Sequence, residues 1–143
     1  MAQIHKSAAT LRIRGDDLIP AEISRLLTCA PTTSQRKGDA IVGKRTSTKR
    51  IARTGMWSLH SEDQEPEDLD RQIEEILARL TADIESWQTL ARTCRMDLFG
   101  GLFMQGANEG LEISTTSLVA LGRRGISLAL DIYGPEREEV EEV

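Results

Sequence analysis

The run Gly38-Asp39-Ala40-Ile41-Val42-Gly43-Lys44 satisfies the first seven positions of a phosphate-binding loop. In such a loop glycines bring backbone N–H groups against phosphate and a lysine reaches the outer phosphoryl groups. The eighth position should hold a Ser or Thr for Mg²⁺, and here it is Arg45. The motif also needs a buried strand before it and a helix after it, whose N-terminus faces the phosphate. Thr32 to Lys37 is polar and Arg45 to Arg53 has no apolar face, so the run reads as a loop without nucleotide chemistry.

Two histidines and two cysteines leave little for metals or nucleophiles. No second His and no paired Cys stand at ligand spacing, so neither a metal site nor a cofactor is implied. Cys29 and Cys94 read as two thiols in a reducing compartment rather than as a disulfide. No serine-hydrolase elbow and no cysteine–histidine signature occurs. His60, at the end of the strand pattern Met56–His60, could act as a general base if Asp16, Asp17 or Asp131 came beside it. The plainer reading of each is structural: Asp16 shapes the turn after Gly15, Asp17 caps a helix and His60 ends a strand on the surface. Asp131 could pair with Arg12 or Arg14 if the first and last strands are neighbours. No residue is read as catalytic. The candidates for holding a small ligand are Asp16, Trp57, His60, Asp131 and Tyr133.

Charge is segregated along the chain. Residues 36–53 carry seven basic side chains and one acidic one, +6 within a net −5, so the remainder carries −11. Lys44, Arg45, Lys49, Arg50 and Arg53 could attract phosphates, since charge alone suffices. No aromatic interleaves them to stack on bases, and the acidic remainder would repel a polyanion, so nucleic acid is the disfavoured partner. A protein is the expected one. The candidate interaction residues are these five together with Glu74, Asp83 and Glu85 on the wet face of a helix. No apolar stretch reaches the length of a membrane span and no signal-peptide pattern opens the chain, so a soluble, cytoplasmic protein is expected.

The elements that must position these residues follow from periodicity. Ala9, Leu11 and Ile13 alternate with Thr10, Arg12 and Arg14, the pattern of a strand with one buried face. A short helix with Ile19, Ile23, Leu26 and Leu27 on one side follows. Thr32 to Lys37 reads as a polar edge strand, 38–55 as a mobile loop, and Met56 to His60 as a strand. From Pro66 to Cys94, Leu69, Ile73, Ile76, Leu77, Leu80, Ile84, Trp87 and Leu90 recur at threes and fours, which predicts one amphipathic helix of roughly 40 Å. Arg95 to Gln105 is a strand in which Gly100-Gly101 marks a bulge or a close backbone approach. Gly110 to Ile113 is a short strand, Ser114 or Thr115 caps a helix, and Ile126 to Ile132 alternate through a last strand.

Gly15-Asp16-Asp17-Leu18, Pro31-Thr32, Lys37-Gly38-Asp39, Gly55-Met56-Trp57-Ser58-Leu59, the long helical segment, Gly101-Leu102-Phe103 and Leu130-Asp131-Ile132-Tyr133, in that order, resemble the bacterial domain-of-unknown-function family numbered 4279 (DUF4279) over roughly residues 8 to 134. The resemblance implies no activity, ligand or catalytic residue. The basic stretch 41–53 is longer than the corresponding loop of that family.

The expected fold is one α+β domain over 1–134, a two-layer sandwich of an antiparallel or mixed sheet with three helices mainly on one face, a ferredoxin-like core being its closest named relative, followed by an acidic disordered tail at 135–143. The expected function is a non-enzymatic protein-interaction module, such as a toxin-neutralising immunity protein or an adaptor. A small-ligand-binding protein or enzyme using the sheet face near Trp57, His60, Asp131 and Tyr133 is the alternative, and nucleic-acid binding through residues 36–53 comes third.

Overall fold

The computed structural model describes residues 2–43, 45 and 47–135. Lys44 and all but the first residue of the expected acidic tail lie outside the described residues. Eleven elements follow in chain order: β1 Lys6–Gly15, α1 Pro20–Leu27, β2 Thr33–Gln35, β3 Ala40–Val42, β4 Lys49–Ile51, β5 Gly55–His60, α2 Leu69–Ala78, α3 Ile84–Ala91, β6 Arg95–Phe103, α4 Thr115–Arg123 and β7 Ser127–Tyr133.

The main sheet has the order β2-β5-β1-β6-β7, antiparallel except for the parallel pair β6 and β7. In β1-α1-β2 and in β5-α2-α3-β6 each pair of strands is separated by one inserted strand, so the two units interlock. This is the ferredoxin-like arrangement, to which α4 and β7 add a parallel edge. The period of β1 dictates its burial: Ser7, Ala9, Leu11 and Ile13 are buried, and the residues between them are not. Leu59 and Trp57 of β5 and Leu98 and Met96 of β6 continue the same face and meet Leu69, Ile73, Ile76, Trp87 and Leu121 from the helices. The four helices therefore lie on one face of the sheet.

Several expectations need correction. The long helix is two helices, giving four among the described residues. Its apolar rhythm runs on through Leu80 and Ile84, but Thr81 and Asp83 compete for the backbone between them. Asp83 accepts from the N–H of Glu85 at 3.3 Å and caps α3, while its own N–H bonds the Thr81 hydroxyl at 3.2 Å. Thr81 donates its N–H to Leu27 O at the end of α1, and its carbonyl accepts the Trp87 indole N–H at 2.8 Å. The start also moves: Asp68, not the neighbourhood of Pro66, caps α2, accepting from Arg71 N–H.

The stretch 38–55 is not irregular throughout. β3 and β4 form an antiparallel ribbon that pairs Ala40 with Ile51 and Val42 with Lys49. Ala52 anchors its base, 3% exposed, exchanging backbone bonds with Gly38 and Asp39. Gly110–Ile113 is no strand; only a bridge between Gln3 and Gly110 remains there. Asp17 does not cap α1, which starts at Pro20 behind Ile19 without a side-chain cap.

The glycine pair in β6 keeps regular pairing with Ala8 and Ala9, so there is no bulge. It is a close approach: a Cβ on Gly100 would sit 2.9 Å from Leu69 Cδ2 and 3.0 Å from Leu130 Cδ2. Small size here lets the first turn of α2 settle on the sheet. Beside it α2 carries a polar core residue. Gln72, fully buried, accepts from the Ser7 hydroxyl at 2.6 Å and donates to Ser7 O and Glu62 O.

Candidate functional site

The second face of the sheet collects the residues that alternate with the core. From β6 come Arg95, Asp97, Phe99, Gly101 and Phe103; from β1, Lys6, Ala8, Thr10, Arg12 and Arg14; from β5, Met56, Ser58 and His60; from β7, Ser127, Ala129, Asp131 and Tyr133. Register alone makes them neighbours. Arg12 stands opposite Asp97 and closes two bonds of 2.7 Å, Nε to Oδ1 and Nη2 to Oδ2. The same guanidinium lies 4.2 Å from the Phe99 ring centroid. Phe103 stacks on Tyr133, centroids 4.9 Å apart and planes 7° from parallel, with Lys6 Nζ 5.3 Å from the Phe103 centroid. Lys6 also pairs with Asp63 at 3.2 Å. One row beyond the Arg12–Asp97 pair, Arg14 faces Arg95.

The small-ligand candidates are not brought together. Trp57 is fully buried on the opposite face, its indole N–H donating to the Ser24 hydroxyl of α1 at 3.0 Å. His60 and Asp131 share the open face, but β1 and β6 run between their strands, a separation of roughly 14 Å at about 4.8 Å per strand. The His60 Nδ1 partner is the Thr10 hydroxyl at 2.8 Å, and among the described residues no carboxylate pairs with this ring as a general base would need. Asp16 lies past the far end of β1 and pairs with Lys37 at 3.5 Å. Asp131 and Tyr133 do meet: the phenol donates to Asp131 Oδ2 at 2.7 Å, and that bond, together with the carboxylate charge, pushes the Tyr133 hydroxyl pKa up. Arg12 pairs with Asp97 and not with Asp131, because β6 stands between the first and last strands.

Of the interaction candidates, Arg45, Lys49, Arg50 and Arg53 are exposed on or beside the ribbon, and Glu74 and Glu85 are exposed on α2 and α3. Asp83 is exposed too, but it is committed to capping α3. An open groove of about 1300 Å³ runs between the ribbon and β2, walled by Ile41, Val42, Arg50, Ile51 and Met56 among others. Met56 belongs also to the open sheet face, so groove and face are one continuous surface. Among the described residues no group of three or more His, Cys, Asp and Glu is arranged to hold a metal ion.

Sequence reasoning missed Phe99 and Phe103. Their signal was available: Phe99 and Phe103 share the parity of charged Arg95 and Asp97, opposite to Met96, Leu98 and Leu102, so alternation turns them away from the core.

No helix among the described residues is long and apolar enough to cross a membrane. No curated protein and no solved structure matches the chain. The family model described as domain of unknown function (DUF4279) matches residues 3–135, and the chain belongs to that family.

Proposed function

We propose that this chain is a non-enzymatic protein-interaction module, of the kind an immunity protein or adaptor represents, and that it receives an acidic partner on the open face of its sheet. The observation that carries the reading is the position of the aromatic residues. The chain has five, and Phe99, Phe103 and Tyr133 stand on the face away from the helices, interleaved with Lys6, Arg12, Arg14 and Arg95. Aromatic and arginine side chains are the residue types that anchor protein interfaces. The adjoining groove adds exposed Val42 and Ile51 beside Arg50 and Arg53, so apolar contact and positive charge are offered together. Both cysteines are free, in keeping with a reducing compartment such as the cytoplasm.

The same mixture of rings and cations favours, as a second reading, a single nucleic-acid strand. It is weaker because one face of Phe99 is taken by Arg12 and one face of Phe103 by Tyr133, and the net charge is −5. The enzyme alternative has less support still, with Trp57 on the other face and His60 bonded to the Thr10 hydroxyl.

The test is affinity capture from the host cell with wild type, with Phe103→Ala/Tyr133→Ala, and with Glu74→Lys/Glu85→Lys. A partner protein held by wild type and by the helix variant, lost by the sheet variant and bound more slowly at high salt, is expected. His60→Ala should leave its affinity within a few-fold. A partner indifferent to the sheet variant overturns the reading, and captured material released by nuclease moves the assignment to nucleic acid.

A further inference from the structure

Arg14 and Arg95 stand directly opposite each other in the β1–β6 ladder, on the open face. Like charges in a cross-strand pair repel. Neither has a carboxylate partner among the described residues: Asp97, in the adjacent row, gives both oxygens to Arg12, and Asp16 pairs with Lys37. Arg14 is half-buried, and its Nε is closed off from solvent with no acceptor among the described residues. With Arg12 and its partner Asp97, the two line a cleft of about 280 Å³ whose walls also include Cys94, Gly125 and Ser127. That lies just under the roughly 300–1,000 Å³ of pockets that enclose whole ligands, so there is room for one charged group.

A guanidinium held partly out of water, with an orphan N–H and a second guanidinium opposite, weakens the fold unless something compensates it. One row away the chain does compensate, setting Asp97 against Arg12. The Arg14 row leaves the matching anion out. An oxyanion set between the two side chains would accept hydrogen bonds from both planar forks and cancel their repulsion. Ser127, beside Asp97 on the parallel neighbour β7, brings a neutral hydroxyl to the same rim.

We infer that the Arg14–Arg95 cleft is a binding site for a single oxyanion, a carboxylate or phosphate group. The anion can be a free small molecule or an acidic side chain of a bound protein. Only the second source rests on the partner reading above, so the site can be tested without a partner.

The experiment follows the arginine Nε–Hε resonances of the full, isotopically labelled chain at constant ionic strength. Inorganic phosphate is titrated in one arm and a short peptide of Asp and Glu in the other. The Arg14 resonance should move and saturate. Arg95→Ala should weaken the apparent affinity by about tenfold or more, the loss of one charge-assisted pair, and Arg50→Ala on the ribbon should change it by less than about twofold. Arg95 is exposed, so its removal spares the core; Arg95→Gln gives the same readout should the alanine variant not fold. Both ligand outcomes support the site: tighter phosphate assigns a free anion, tighter peptide an acidic segment. Shifts that never saturate and are equal on the ribbon arginines reflect screening only and overturn it. So does a saturable shift that persists without Arg95.

Discussion

Arg12 and Asp97 bridge β1 and β6 with a two-pronged bond, and Phe99, two residues on from Asp97, lies under the same guanidinium. Each side chain is about one-quarter exposed, so the pair is shielded and geometrically fixed. Arg12→Ala should destabilise the domain by about 1–3 kcal/mol, since Asp97 would be left half-buried without its cation. Arg12→Lys should recover only part of this, because an ammonium cannot supply the fork. Urea unfolding of both single variants and of the double variant with Asp97→Ala would measure the coupling. Additive losses would show that the pair does not act as a unit.

Acid stability turns on two carboxyls near the start of α2. Burial pushes Asp70 up, but the Ser114 N–H and the hydroxyls of Ser117 and Ser114 outweigh it and hold the group below its ordinary range. A folded pKa below the unfolded one gives stability that is present above about pH 3.9 and is lost as pH falls through the folded value. Glu67 is the reverse case: burial above all raises it, helped by the charges of Asp68 and Asp70 and opposed by the Leu69 N–H. Its contribution is present below about pH 4.3 and lost as pH rises through the raised value. Glu67→Gln should therefore raise the unfolding midpoint at pH 7, and Asp70→Asn should lower it there while flattening the acid limb. Denaturation midpoints at pH 7 and pH 3 would expose the opposite signs.

Trp87 is fully buried and holds the α2–α3 joint by its bond to Thr81 O. Trp87→Ala should cost about 3–5 kcal/mol. Trp87→Phe keeps most of the packing and leaves one carbonyl unpaired, for a loss of about 1–3 kcal/mol. Chemical denaturation checks both, and an unchanged alanine variant would contradict the burial.

Two glycines on strands should respond differently to one added methyl. A Cβ on Gly55 would meet Gly15 O at 2.6 Å and Leu18 Cβ at 2.9 Å, where paired backbone has no room to retreat, whereas on Gly101 its nearest neighbour is Phe103 Cε2 at 3.6 Å. Gly55→Ala should lose about 1–3 kcal/mol and Gly101→Ala should stay within about 0.5 kcal/mol of wild type. Thermal unfolding of the two variants side by side decides it.

Brief trypsin treatment should cut first within 36–53. The ribbon has only two three-residue strands and leaves Val42 and Ile51 more than half exposed, and an isolated hairpin is marginal in water. Mass spectrometry of the first fragments tests this; early cleavage at Arg71 or Arg79 would count against it.

Strands β1 and β7 and the Ser114 cap of α4 were legible because strict alternation and a capping serine ahead of an apolar run are local signals. The joint at Thr81–Asp83 was hidden because apolar spacing carries across it, and only the cap-forming residue types betray the break. The ribbon was hidden because Ala40–Val42 and Lys49–Ile51 are each only three residues long, too short for a periodic signal, and charged Lys49 and Arg50 make up most of the second. Partners across strands were least visible. Which acid meets Arg12, and that Arg14 meets Arg95, depend on strand order and register, which no single segment encodes.

The central position of β1 sets a timetable for synthesis. The strand is completed at Gly15, while β6, its longest ladder partner, ends at Phe103. At about 5–20 residues per second the ribosome needs roughly 4–18 s to deliver the second after the first. Through that interval Leu11 and Ile13 can be sheltered only by β5 and by the helices as they emerge. The middle of the sheet is thus made early and enclosed late, and a nascent chain stalled before residue 95 would present one bare edge of β1 to chaperones.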